Sequence, residues 1–125
     1  MTTGSKYHHT AKIIFGKMTP LTVASDGSHQ WLYIESEGVR DLIGEIMKWN
    51  HALDGTHHGK ACSYHLTIYA EKNDGFGGSS SREWDFEVPR DKEGRLLGDT
   101  PAQAHRKAKA TAKDTLASRY GLTQA

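Results

Sequence analysis

Only one cysteine, Cys62, occurs in the 125 residues, which excludes an internal disulfide and points to a reducing compartment. No apolar run approaches the roughly 18 residues of a membrane span. The opening MTTGSKYHHT has no apolar stretch of the signal-peptide kind, so a cytoplasmic protein with no membrane contact is expected. There is no internal repeat and no long linker, and residues 1–125 are read as one domain. Catalytic spacings are missing too: there is no Cys-x-x-Cys, no His-Glu-x-x-His and no Ser/His/Asp or Cys/His set. The expectation is a protein that is not an enzyme, with no catalytic residue, no metal and no cofactor.

What is present is unevenly charged. Lys and Arg number 16 against 15 Asp and Glu, but residues 100–121 hold five cations, Arg106, Lys107, Lys109, Lys113 and Arg119, against the single acid Asp114. A near-neutral total conceals a cationic C-terminal element on a mildly acidic body, which directs attention to polyanions.

The hydrophobic periods give the elements. HTAKIIFGKM alternates like a strand, and Asp26-Gly27 between two apolar stretches signals a hairpin. From Ser36 to Gly55 the period changes, with Val39, Leu42, Ile43, Ile46, Met47 and Leu53 at steps of three and four; this predicts a helix. CSYHLTIYA and REWDFEV alternate and predict an antiparallel pair joined by the glycine- and serine-rich stretch 74–81, with GRLLGD as a short third strand. Residues 100–121 predict a second helix. Thr100 caps it, Pro101 starts it, Gln103 completes a capping box and Gly121 ends it. Its stripe of Ala104, Ala108, Thr111, Ala112, Thr115 and Leu116 is made mostly of small residues, so this helix should lie close to the sheet. The expected fold is α+β: an antiparallel sheet with two helices packed on one face, preceded by an N-terminal β-hairpin in residues 1–35, with an α-β-β-β-α core over 36–121.

With HRKAK opening the last helix, residues 36–121 resemble a double-stranded RNA-binding domain. His105, Arg106, Ala108 and Lys109 fall on the family's Lys-Lys-x-Ala-Lys pattern, Glu45 in LIGEI falls on the acidic position of its first helix, and REWDFEV is similar to its second strand. The family's Gly-Pro-x-His loop signature is missing; GFGGSSSR offers only Arg82 in its place. The resemblance implies shape-selective binding of duplex RNA, whose deep, narrow major groove is bridged by cations at a helix N-terminus rather than read by side chains. The nucleic-acid-binding set implied is Arg106, Lys107, Lys109, Lys113, Glu45, Arg82 and His105.

Other constellations carry less. His51, His57 and His58 share one loop without metal-site spacing. Glu83, Asp85 and Glu87 alternate outward from a half-buried strand, as sheet geometry requires. The competing functional reading is a protein-interaction module, such as a small phage or mobile-element adaptor or inhibitor. It would meet its partner through that acidic face, the N-terminal hairpin, or Trp31 and Trp49. Oligomeric state is not legible.

Overall fold

The computed structural model describes residues 7–21, 27–50, 62–70, 81–91 and 93–123. Its strands are β1 (Lys12–Phe15), β2 (Thr19–Pro20), β3 (Gly27–Ser36), β4 (Val39–Asn50), β5 (Cys62–Ile68) and β6 (Arg82–Val88), followed by one helix, α1 (Pro101–Tyr120). All pairings are antiparallel, in the order β1-β3-β4-β5-β6, and β2 pairs with β3 beyond the end of β1.

This overturns the expectation of two helices on one face, because α1 is the only helix among the described residues. Residues 39–50 of the segment read as the first helix are strand β4, and Ser36 is not a helix cap but the last residue of β3. Leu53 and Gly55 of that reading lie outside the described residues. Between the two strands, Glu37 (φ 50) and Gly38 (φ 83) are both left-handed, the conformation of a two-residue type I′ hairpin turn, with Ser36 opposite Val39. The helical spacing of the apolar residues comes from a β-bulge. The β3–β4 register shifts at Leu32/Tyr33, which leaves Ile43 as an extra residue. Ile43 and Ile46 therefore enter the core, while Leu42, Met47 and Trp49 lie on the other face. Apolar residues shared between two faces of a bulged strand reproduce the three-four spacing of one helical face.

The N-terminal strands do not precede the sheet; they are its edge, since β1 and β2 both pair with β3. Residues 22–26, with Asp26 of the anticipated hairpin signal, lie outside the described residues. GRLLGD forms no strand, only an isolated bridge between Arg90 and Leu96. The pairing of β5 with β6 has the expected inward set, with Val88 fully buried and Trp84 and Phe86 packed against the core.

α1 follows its sequence signals. Thr100 accepts a hydrogen bond from Gln103 N while the Gln103 side chain accepts from Thr100 N, the reciprocal capping box. At the other end Gly121 is left-handed (φ 64, ψ 38), and Leu122 N donates to Ala117 O. Ala104, Ala108, Ala112 and Leu116 are fully buried and pack with Leu32, Ile46, Leu66 and Ile68 in one core. Side chains beyond the stripe fasten both helix ends. At the first turn His105 is tied to β3; at the last, the Tyr120 ring meets Tyr7 edge-on at 4.9 Å and Arg119 donates to Tyr69 O at 2.9 Å.

Candidate nucleic-acid interface

Helical geometry decides which cations can act together. Arg106, Lys109 and Lys113, at steps of three and four, share the flank of α1 that faces β1. Lys109 and Lys113 hold their ammonium groups 6.0 and 5.9 Å from the ring centre of Phe15, at the end of β1. A cleft of about 430 Å³ continues this flank between β1 and the second half of α1. Lys113 stands at its rim with Thr10 and Thr123, over Ala117 and Leu122. None of Arg106, Lys109 and Lys113 pairs with a carboxylate among the described residues, so their charge is available to a ligand. Lys12, next to core-facing Ile13 and opposite Glu35, belongs to the other sheet face. The row is about 10 Å long on the helix alone, at 1.5 Å per residue.

The remaining residues of the anticipated set do not join this row. Lys107 points to the opposite flank and is bonded to Asp99 at 2.6 Å. Arg82 lies on that same far flank, across from Asp114, Thr115 and Ser118, with its guanidinium 5.1 Å from the Trp84 ring. Glu45 is opposite Trp31 and Thr67 on the sheet face turned away from α1, near His29 at 3.9 Å and within 3.5 Å of the Tyr69 hydroxyl. It cannot reach a ligand held by the helix. Burial, then the Glu45 charge, pushes the Tyr69 phenol up to about 12.

His105 turns inward. Its ring stacks on Tyr64 with centroids 4.9 Å apart and 8° between planes, and its Nε2 lies 2.8 Å from Gln30 Oε1. The tautomer follows from the next bond. Gln30 Nε2 donates to Gly16 O at 2.8 Å, and a carbonyl only accepts, so the amide oxygen faces His105 and Nε2 carries the proton. Helix, β3 and the sheet edge are linked through one buried amide. Burial, then the charges of Lys109 and Lys48, holds the His105 imidazole below its usual value, so it adds no charge to the row at neutral pH. The sequence held a signal for this: His105 stands three residues before Ala108 and seven before Ala112, on the margin of the buried stripe.

A second histidine behaves oppositely. His65, on the far sheet face, places Nδ1 2.6 Å from Asp85 and Nε2 2.7 Å from Glu83. Both ring nitrogens can donate at once only in the imidazolium; the Asp85 hydrogen bond raises its proton affinity most, burial opposes it, and the Glu83 hydrogen bond adds to the net rise. The carboxylates sit on opposite ring nitrogens and do not converge on one point. Among the described residues no three His, Cys, Asp or Glu side chains are placed to hold a metal ion; His51, His57 and His58 lie outside the described residues. Cys62 is buried, and burial raises its thiol.

The two histidines give a pH prediction of opposite signs. For His65 the folded value is raised, so its contribution is complete below the unfolded value of about 6.5 and disappears as pH rises through the folded one. For His105 the folded value is lowered, so stability is complete above about 6.5 and falls as acid protonates the unfolded chain. His65→Gln is expected to cost about 0.5–1 kcal/mol at pH 5.5 and little at pH 8.5. The remaining His105 effect then shows as a net fall in stability from pH 8 to pH 5. Urea unfolding across that range checks it, and equal losses at both ends would contradict the assignment.

Among the described residues no helix is long and apolar enough to cross a membrane. Comparison with protein-family models, with curated proteins and with solved structures returns no match for this chain.

Proposed function

We propose that this protein is a non-catalytic nucleic-acid-binding protein that holds a sugar-phosphate backbone along Arg106, Lys109 and Lys113. The observation that carries the reading is the unpaired state of these three cations on one flank among the described residues, although acids are plentiful elsewhere on the molecule. Two features strengthen it. Arg106 lies in the second turn of α1, near the positive end of the helix dipole, and the first turn contains no acid to oppose an anion there. Phe15 beneath Lys109 and Lys113 adds an aromatic surface to the cationic one.

The preference for duplex RNA comes from the family resemblance alone. Glu45, which the resemblance places on a first helix, is on a strand and on the far face. Recognition through the remaining cations is electrostatic and depends steeply on salt. Three phosphate contacts give a slope of about −3 in log affinity against log salt for a duplex. The test is a titration of labelled duplex RNA, duplex DNA and single strands by anisotropy at low and moderate salt. Converting Arg106, Lys109 and Lys113 to Glu is expected to lower affinity by roughly tenfold or more and flatten the slope, while Glu45→Gln changes neither. Unchanged binding by the triple variant would remove the mechanism.

A further inference from the structure

The sheet face turned away from α1 is covered by no described residue, and its side chains are sorted into two parallel columns. One, along β3 and β4, is largely apolar: Trp31 is 36% and Leu42 47% exposed, and Met47 and Trp49 continue the column on β4, with His29 and Glu45 as its polar members. The other, along edge strand β6, is acidic: Glu83, Asp85 and Glu87 alternate outward, all exposed. Between them β5 contributes the short polar residues Ser63 and Thr67 and the imidazole that braces Glu83 and Asp85. Strands lie about 4.8 Å apart, so β4 and β6 are separated by about 10 Å, the width of an α-helix with its side chains.

Exposed aromatic and aliphatic groups bordered by charge mark a surface that meets a partner. The charge excludes nucleic acid from this face, since phosphates would meet the acidic column. A second copy of the chain would bring a second acidic column and no matching cationic one on the same face. We infer that this face docks an amphipathic, cationic α-helix of a partner protein, its apolar side on Trp31, Leu42, Met47 and Trp49 and its Lys/Arg flank against Glu83, Asp85 and Glu87. Docking there completes a three-layer arrangement, with the partner's helix on one side of the sheet and α1 on the other. Trp31 is suited to anchor it, because His29 meets its ring edge-on at 4.8 Å and limits its rotation before the partner arrives. The inference is independent of the nucleic-acid reading, which uses the opposite side of the molecule.

The probes are two synthetic amphipathic helices of about 18 residues, identical in their leucine face and flanked by lysine in one and glutamate in the other. Each is labelled and titrated with the full-length protein. The lysine peptide is expected to bind roughly tenfold or more tighter than the glutamate peptide. Leu42→Ser, and separately Glu83→Gln with Asp85→Asn, should each weaken it by about fivefold or more with the circular dichroism spectrum unchanged. Leu42→Ser should leave duplex nucleic-acid binding as it was. Binding of neither peptide, equal binding of both, or indifference to Leu42→Ser overturns the inference. Displacement of the peptide by a nucleic acid assigns the face to that ligand instead. A dimer in sedimentation velocity that Leu42→Ser dissociates assigns it to a second copy.

Discussion

Gly44→Ala is expected to cost about 3 kcal/mol of unfolding free energy, read as a lower urea midpoint at unchanged slope. Gly44 is on β4 opposite Leu32 and Ile68, just past the bulged residue Ile43. A Cβ placed on it would fall onto the carbonyl oxygen of Thr67 and 3.3 Å from Ile68 Cδ1. The first obstacle is backbone of the adjacent strand, which can yield only by opening the β4–β5 pairing at the middle of the sheet. Overpacking normally costs about 1–3 kcal/mol, and a clash with backbone belongs at the upper end. The experiment also separates two structures by sign. Within an exposed helix, Gly→Ala would stabilise by up to about 1 kcal/mol. A raised midpoint would therefore return residues 39–50 to the helix that their spacing imitates.

Ala112→Leu is expected to destabilise by about 2–3 kcal/mol, whereas Ala110→Leu stays within about 0.5 kcal/mol of the parent. Both substitutions exchange one good helix former for another, so intrinsic propensity nearly cancels. Ala112 has no exposed surface and shares a core with Leu66, Ile46 and Leu116; Ala110 is exposed. The larger side chain at 112 has no space unless α1 rises from β5 and β6. That movement also strains the Arg119 bond to Tyr69 O at one end and the His105 bond to Gln30 at the other. Thermal or chemical unfolding of the pair measures how tightly the alanine stripe fits. Equal effects at both positions would mean that the helix does not depend on that close approach.

These two sites also show what the sequence could and could not convey. α1 was legible because its information is local: Thr100, Gln103 and Gly121 satisfy backbone groups within a few residues, and the alanine stripe keeps a single period. β5 and β6 were legible for the same reason, with an uninterrupted alternation in each. β4 was not, because one inserted residue at Ile43 breaks the alternation and turns two strand faces into an apparent helical one. The signal that outweighed it was the dipeptide Glu37-Gly38, a hairpin turn with glycine at its second position and a negatively charged residue at its first, where Asn or Asp is the usual choice. The site divides likewise. Arg106, Lys109 and Lys113 could be grouped from helical spacing alone. Phe15 and the inward turn of His105 depend on how β1 and β3 pair, which no local pattern specifies. Glu45 was misplaced as a direct result of the β4 error, since a strand residue next to Ile46 must face away from it.

The Glu37-Gly38 turn has a consequence in time as well as in space. β3 and β4 are joined by the shortest connection in the sheet, so their pairing closes little chain and can form on the microsecond scale of an isolated hairpin. α1 cannot lead, since alanines bury too little surface to hold a helix of this length until β5 and β6 offer them a floor. Folding would then begin at the hairpin and end with the arrival of the helix. A weakened turn would slow the forward reaction, whereas a loosened helix would chiefly hasten the reverse. The cationic row of α1 is accordingly among the last surfaces of the molecule to be assembled, and no phosphate can find it whole before the rest of the chain has folded.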